Sequence, residues 1–181
     1  MNVSGIDSSL TACGLARHVE GERLVTAVVR TRKQGEDLRA QSDRIEYVAA
    51  RALEWLPTSG LFVIETPPPM LTGGLAVERH ALYYLIVRVL LRRGQVMTVS
   101  QATRAMYATG SGKAKKPEVL AAMRAAFPDV RVSDDNAADA LALLAMGSRN
   151  LGRPLEAEPI SKKQTAAGAH LPWPNQKDQD R

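Results

Sequence analysis

The chain has 181 residues, 45% of them apolar but only 4% aromatic, with a formal net charge of +5 and a pI near 9.6. That length suits one globular domain with a core that needs no covalent staples. No apolar run approaches the roughly 20 residues of a membrane span, and one cysteine, Cys13, excludes an internal disulfide framework and suits a cytoplasmic, reducing setting.

Residues 2–6 read as a short strand that ends at Asp7, and the early Asp7 and its polar neighbours read as no signal peptide. Two half-alternating strands follow in "ACGLARHV" and "ERLVTAVVRT", split by the turn signal "EGE". Together the three suggest an antiparallel meander. Leu38, Ile45, Val48, Ala49, Ala52, Leu53 and Leu56 then recur at helical spacing, and Pro57 and Gly60 stop that helix. "LFVI" is a wholly apolar run, as expected of a strand covered on both faces. It ends in Glu65 and is halted by Pro67, Pro68 and Pro69.

A second helix is predicted from about Leu75 to Leu91. Its apolar residues lie on nearly all sides, so it must bury two faces, one of them against something beyond the sheet. Leu82 and Ile86 are assigned to that spare face. "QVMTV" reads as a fifth strand and "ATGSGKAKKP" as a basic loop leading to a helix at about Pro117–Phe127. A last helix, from about Asp135 to Met146, carries Ala137, Ala140, Leu141 and Leu144 on one face. Residues 151–181 lack periodicity and read as a mostly disordered tail after a domain spanning 1–150. The order β-β-β-α-β-α-β-α-α predicts a mixed five-stranded sheet with helices on both faces.

The candidate chemistry is acidic. If the first and fourth strands are parallel neighbours, Asp7 and Glu65 end side by side, at the sheet edge where open α/β sheets place their sites. Packing the last helix on that edge adds Asp139, with Asp135 one turn earlier on the same helix face. Such carboxylates repel one another unless cations neutralise them. Oxygen-only ligands suit Mg²⁺ or Mn²⁺, and two ions roughly 4 Å apart can activate a water against a phosphodiester. Three of the acids also have a plainer reading: Asp7 as a turn residue, Glu65 as a charge at a strand end, Asp135 as a charge on the helix dipole. Asp139 lies deeper, among alanines and leucines, where an unpaired carboxylate would cost several kcal/mol. Arg88, Arg92, Arg93, Arg104, Lys113, Lys115, Lys116 and Arg124 fall in one stretch with few acids, which favours a polyanionic partner.

"GIDSSLTACGLA", "FVIET", "YATGSGKAKKPEVLAAM" and "DDNAADALALLAMG" resemble, in order and spacing, the RuvC-type Holliday junction resolvases of the ribonuclease H-like superfamily. The resemblance spans residues 1 to about 148. It implies a ribonuclease H-like fold and a homodimer that nicks the two symmetric strands of a four-way DNA junction with Mg²⁺ or Mn²⁺. It puts the metal-binding and catalytic acids at Asp7, Glu65 and Asp139, and the catalytic loop lysine at Lys116, with Lys113 and Lys115 beside it on DNA. The family's remaining acid falls on Asn136, a departure; charge favours the adjacent Asp135 as that ligand, and register favours Asn136. A second departure is the family's aromatic wedge beyond the Glu. Here Met70 and Leu71 stand in that region as apolar candidates.

A related fork, flap or hybrid nuclease and a non-catalytic junction-binding protein remain as alternatives. "TGSGKA" is no phosphate loop, since Tyr107 and Ala114 occupy the required glycine and Ser/Thr positions. The first motif also resembles that of actin-like kinases, but the chain has no second Asp-Gly-Gly motif.

Overall fold

The computed structural model describes residues 1–67 and 76–174. Three strands come first: β1 (Val3–Asp7), β2 (Ala12–His18) and β3 (Val25–Arg30). After α1 (Leu38–Trp55), β4 (Gly60–Glu65), α2 (Ala76–Arg93) and β5 (Gly94–Val99) complete a sheet of order β3-β2-β1-β4-β5. β1 and β2 pair antiparallel, as do β2 and β3; β1, β4 and β5 run parallel. Four helices follow: α3 (Gln101–Thr109), α4 (Lys116–Ala126), α5 (Asp135–Asn150) and α6 (Lys162–Ala169). The mixed sheet covered on both faces is the architecture the residue pattern predicts.

The two faces have separate cores. Ile6, Leu15, Phe62 and Ile64 pack with Val48, Ala49 and Ala52 of α1 and Leu82, Ile86 and Leu90 of α2. Val3, Leu61, Val63 and Val99 pack with α3, α4 and α5 on the other face. The division follows strand alternation. β4 is buried on both faces, which explains its unbroken apolar run.

Gly5 and Gly14 let α5 approach the sheet closely. A Cβ on Gly5 would collide with the carbonyl oxygen of Ala140, and one on Gly14 with that of Asn136. The helix is anchored at its start by Asp134, whose carboxylate accepts from the Ala137 amide at 2.9 Å. Alanines at 137, 138, 140, 142 and 145, all fully buried, complete the close fit.

Three expectations are corrected. Leu82 and Ile86 are fully buried against the sheet and cannot form a spare face. On α2 the large exposed apolar residues are Val77 (80% exposed), Tyr84 (65%), Leu85 and Leu91 (62%). Second, the segment after β5 forms α3. Its signals were local: Ser100 caps it, and Gly110, at φ 80°, ends it with its amide on the Met106 carbonyl. Third, the tail is not loose over its described part. Residues 151–174 lie on the domain, with Leu155, Ile160, Leu171 and Trp173 against the core and α6 against α3. No helix among the described residues is long and apolar enough to cross a membrane. Met70 and Leu71, the apolar wedge candidates, lie outside the described residues.

Candidate active site

Strand periodicity aims the first two acids. Gly5 pairs with Val63 in the parallel β1–β4 ladder, so Asp7 and Glu65, two residues on, project together to the face covered by α5. α5 crosses β1, β2 and β4 there and brings Asp139 up to them. Asp7, Glu65, Asn136 and Asp139 line one open cavity of about 250 Å³ with Ser8 and Arg104. Lys116, Arg79 and Gln101 also reach it.

Arg104 of α3 is the residue that sequence reasoning did not single out. Its side chain is 4% exposed; Nε donates to Glu65 and Nη1 to Asp139. A buried guanidinium costs several kcal/mol in desolvation and persists only where charges compensate it. Here two carboxylates do. Its signal in the sequence was a cation on a capped helix immediately after the fifth strand.

One arginine does not balance three acids. Burial, then Glu65 and then Asp139 raise the Asp7 carboxyl well above the usual carboxylate range, with Arg104 and Lys116 opposing. Burial pushes Asp139 up to about 7, with Arg104 pulling it down and Glu65 pushing it up. The cluster therefore lacks positive charge, and its donors are all oxygens. Both properties fit Mg²⁺ or Mn²⁺. With Arg104 set between Glu65 and Asp139, no three His, Cys, Asp or Glu side chains among the described residues are grouped tightly enough to hold an ion as they stand. A bound ion would replace part of the neutralisation that Arg104 now supplies.

The remaining candidates divide. Asn136 lines the cavity, whereas Asp135, the ligand favoured on charge, does not. Asp135 instead takes an ion pair from Lys116 Nζ at 2.5 Å. That hydrogen bond holds Asp135 below the usual carboxylate range and raises Lys116. The reason is placement on the helix: Asp135 begins α5 and looks toward the first residue of α4, while Asn136 lines the cavity. Lys113 lines a neighbouring cavity of about 270 Å³ with Arg104 and Lys116. Lys115 is exposed at the start of α4, where its amide donates to Glu118 at 2.6 Å.

The structure is similar to that of RuvC from Thermus thermophilus, at 24% identity and a TM-score of 0.62 over 86% of this chain and 100% of that one. It is also similar to T. thermophilus RuvC in complex with Holliday junction substrate, at 23% identity and a TM-score of 0.60, covering 86% and 99%. The chain thus has the ribonuclease H-like fold of RuvC. No protein-family model matches the chain, and no curated protein matches it significantly.

Proposed function

We propose that the protein is a divalent-metal-dependent endonuclease that nicks four-way DNA junctions as a homodimer. The observation that carries this reading is the convergence of Asp7, Glu65 and Asp139 on one cavity, undercharged by cations, at the end of the parallel strands. The likeness to RuvC bound to a Holliday junction supports the choice of substrate.

In this reading Asp7, Glu65 and Asp139 hold Mg²⁺ or Mn²⁺, with the Asn136 carbonyl as a weaker neutral donor. The ions supply an activated water and stabilisation of the leaving oxygen. Lys116 contacts the scissile phosphate and offsets the charge that develops on it, while Arg104 holds Glu65 and Asp139 in place. Asp135 holds Lys116 at the cavity and is a positioning residue. Lys113 and Lys115 bind phosphates alongside. The exposed stripe of Val77, Tyr84 and Leu91 on α2 is the surface for a second copy, and a two-fold dimer brings two sites to a symmetric junction. Such a protein works in the cytoplasm, where branched DNA is reached.

Asn136, an amide at the cavity wall, favours a second reading: junction binding without cleavage. One experiment separates the two. The parent should nick a synthetic four-way junction in Mg²⁺ or Mn²⁺, and Asp7→Asn should lose at least ~10²-fold in rate. Its fold and its junction binding in EDTA should be unchanged. A parent that binds but never nicks establishes the second reading, and an Asp7→Asn variant as fast as the parent refutes the assignment of the site.

A further inference from the structure

A cavity of about 760 Å³ lies away from the carboxylates, where the end of β3 meets the start of α1. Four arginines line it: Arg30, Arg32, Arg39 and Arg44. Two acids line it as well, Asp37 and Asp43. Asp37 is engaged as the cap of α1, accepting from the Ala40 amide at 3.0 Å. Arg44 donates from Nε to Thr31 Oγ1 at 3.0 Å and from Nη2 to Thr11 Oγ1 at 3.4 Å. Those partners are neutral, so they fix the guanidinium without cancelling its charge. Arg32 and Arg39 are exposed and have no ion pair among the described residues. Planar guanidinium groups held around a concave surface match phosphate oxygens.

The cavity's place in the fold says which phosphates. β3 and β1 both run antiparallel to β2, so Arg30 and Asp7 end at the same edge of the sheet. Two strand spacings separate their strands, about 10 Å, and Arg30 stands two residues further along than Asp7, about 7 Å, so the two lie about 12 Å apart. Two ion pairs span the gap between the two sites. Arg30 pairs with Asp134 at the start of α5, and the next residue, Asp135, holds Lys116 at the carboxylate cavity. A duplex strand advances about 3.4 Å along its axis per phosphate. A strand leaving the acidic site along this edge therefore reaches the arginines after about three to four nucleotides.

We infer that this cavity is a second phosphate-binding surface, which holds the backbone of a DNA arm about three to four nucleotides from the cut. The inference rests on the reading of the carboxylate cavity as a site that acts on DNA. Tyr47, half exposed on the α1 wall, gives the arm an aromatic surface beside the phosphates.

The test is an Arg32→Gln/Arg39→Gln double variant. Both side chains are exposed, so folding should be preserved, and circular dichroism checks it. Binding is measured in EDTA across a salt series on a junction with arms of about 15 base pairs and on the same junction with uncharged methylphosphonates at about the third and fourth linkages of each arm. On the natural backbone the slope of log affinity against log salt should shrink by roughly 1.8, at about 0.9 for each phosphate no longer neutralised. On the methylphosphonate junction it should match the parent. An unchanged slope on the natural backbone, or an equal change on both, overturns the inference. A parent that binds linear duplex as tightly as the junction overturns the junction reading alone. The arginines are then scored on the linear duplex by the same slope, with a smaller slope supporting the surface and an unchanged one refuting it.

Discussion

At the residue scale the acidic cavity predicts a pH dependence of stability. Asp139 is pushed up to about 7 by burial in the folded protein, whereas an unfolded aspartate titrates near 3.9. Between about pH 4 and 7 the folded state keeps a proton that the unfolded state has released. This group's contribution to stability is therefore complete below pH 4 and is lost as pH rises through 7. Asp139→Asn cannot take up that proton. The stability of the parent relative to the variant, in EDTA, should rise as pH falls from 7 to 4, by at most about 1.4 kcal/mol per unit. Denaturant melts at several pH values measure it. A difference that stays flat across that range would mean Asp139 is ionised throughout. Added Mg²⁺ should abolish the dependence, because an ion favours the ionised carboxylate. Asp7, Glu65 and Asp139 were legible as one cluster because strand ends and helix periodicity fix direction as well as position. Arg104 was not, since one cation on a nine-residue helix leaves no periodic trace. Nor does spacing choose between Asp135 and Asn136, which diverge only once α5 is seated on Gly5 and Gly14.

At the element scale α2 shows the limit of pattern reading. Its apolar residues surround the helix, so the sequence reveals two buried faces without saying which residue serves which. The sheet takes Leu82, Ile86 and Leu90, and leaves Val77, Tyr84 and Leu91 at intervals of seven on the outer side. Over two heptads such a stripe drifts only about 40° around an ideal helix, so it stays on one face. Tyr84→Glu with Leu91→Glu puts two charges on that stripe without touching the core. Surface changes of this kind usually alter stability by about 0.5 kcal/mol or less. Light scattering should find the parent dimeric and the variant monomeric. The variant should still make single nicks in a junction, but the second cut should no longer follow within the life of the complex. A monomeric parent, or a variant that remains dimeric, would remove α2 from the interface. The long elements were legible from periodicity, and β4 from its unbroken apolar run. The short helices α3 and α6 were carried by caps alone, at Ser100 and Ser161.

At the scale of the whole molecule, the segment after α5 decides how firmly the acidic cavity is held. Composition alone marks residues 151–181 as a tail, because Pro, Gln, Lys and Asp supply no apolar period. A few side chains nevertheless dock its described part. The Glu156 carboxylate, 2% exposed, accepts from Tyr107 Oη and, at 2.9 Å, from Arg149 Nη2. Gln164 Nε2 donates to the carbonyls of Tyr107 and Ala108 at 3.0 and 3.2 Å, satisfying the open end of α3. The Ala157 amide bonds the Ala126 carbonyl at 2.9 Å and so fastens the segment to α4 as well. α3 carries Arg104, and the segment therefore braces the helix that neutralises Glu65 and Asp139. Glu156→Ala leaves the buried Tyr107 hydroxyl and Arg149 Nη2 without their acceptor, while Arg149 Nε still donates to Tyr107 Oη at 3.2 Å. Removing one partner of a buried pair costs about 3–5 kcal/mol. Because Arg149 is partly exposed and can turn to water, the lower end, about 3 kcal/mol, is expected. The denaturant midpoint should fall with an unchanged m-value, as it does when stability alone is altered. Glu156→Gln keeps an acceptor for Tyr107 and should recover part of the loss. At saturating DNA, Glu156→Ala should also nick more slowly than Glu156→Gln, since α3 is then less firmly placed. Should Glu156→Ala melt within about 0.5 kcal/mol of the parent, the segment is not docked in solution, and Arg104 is held by its two carboxylates alone.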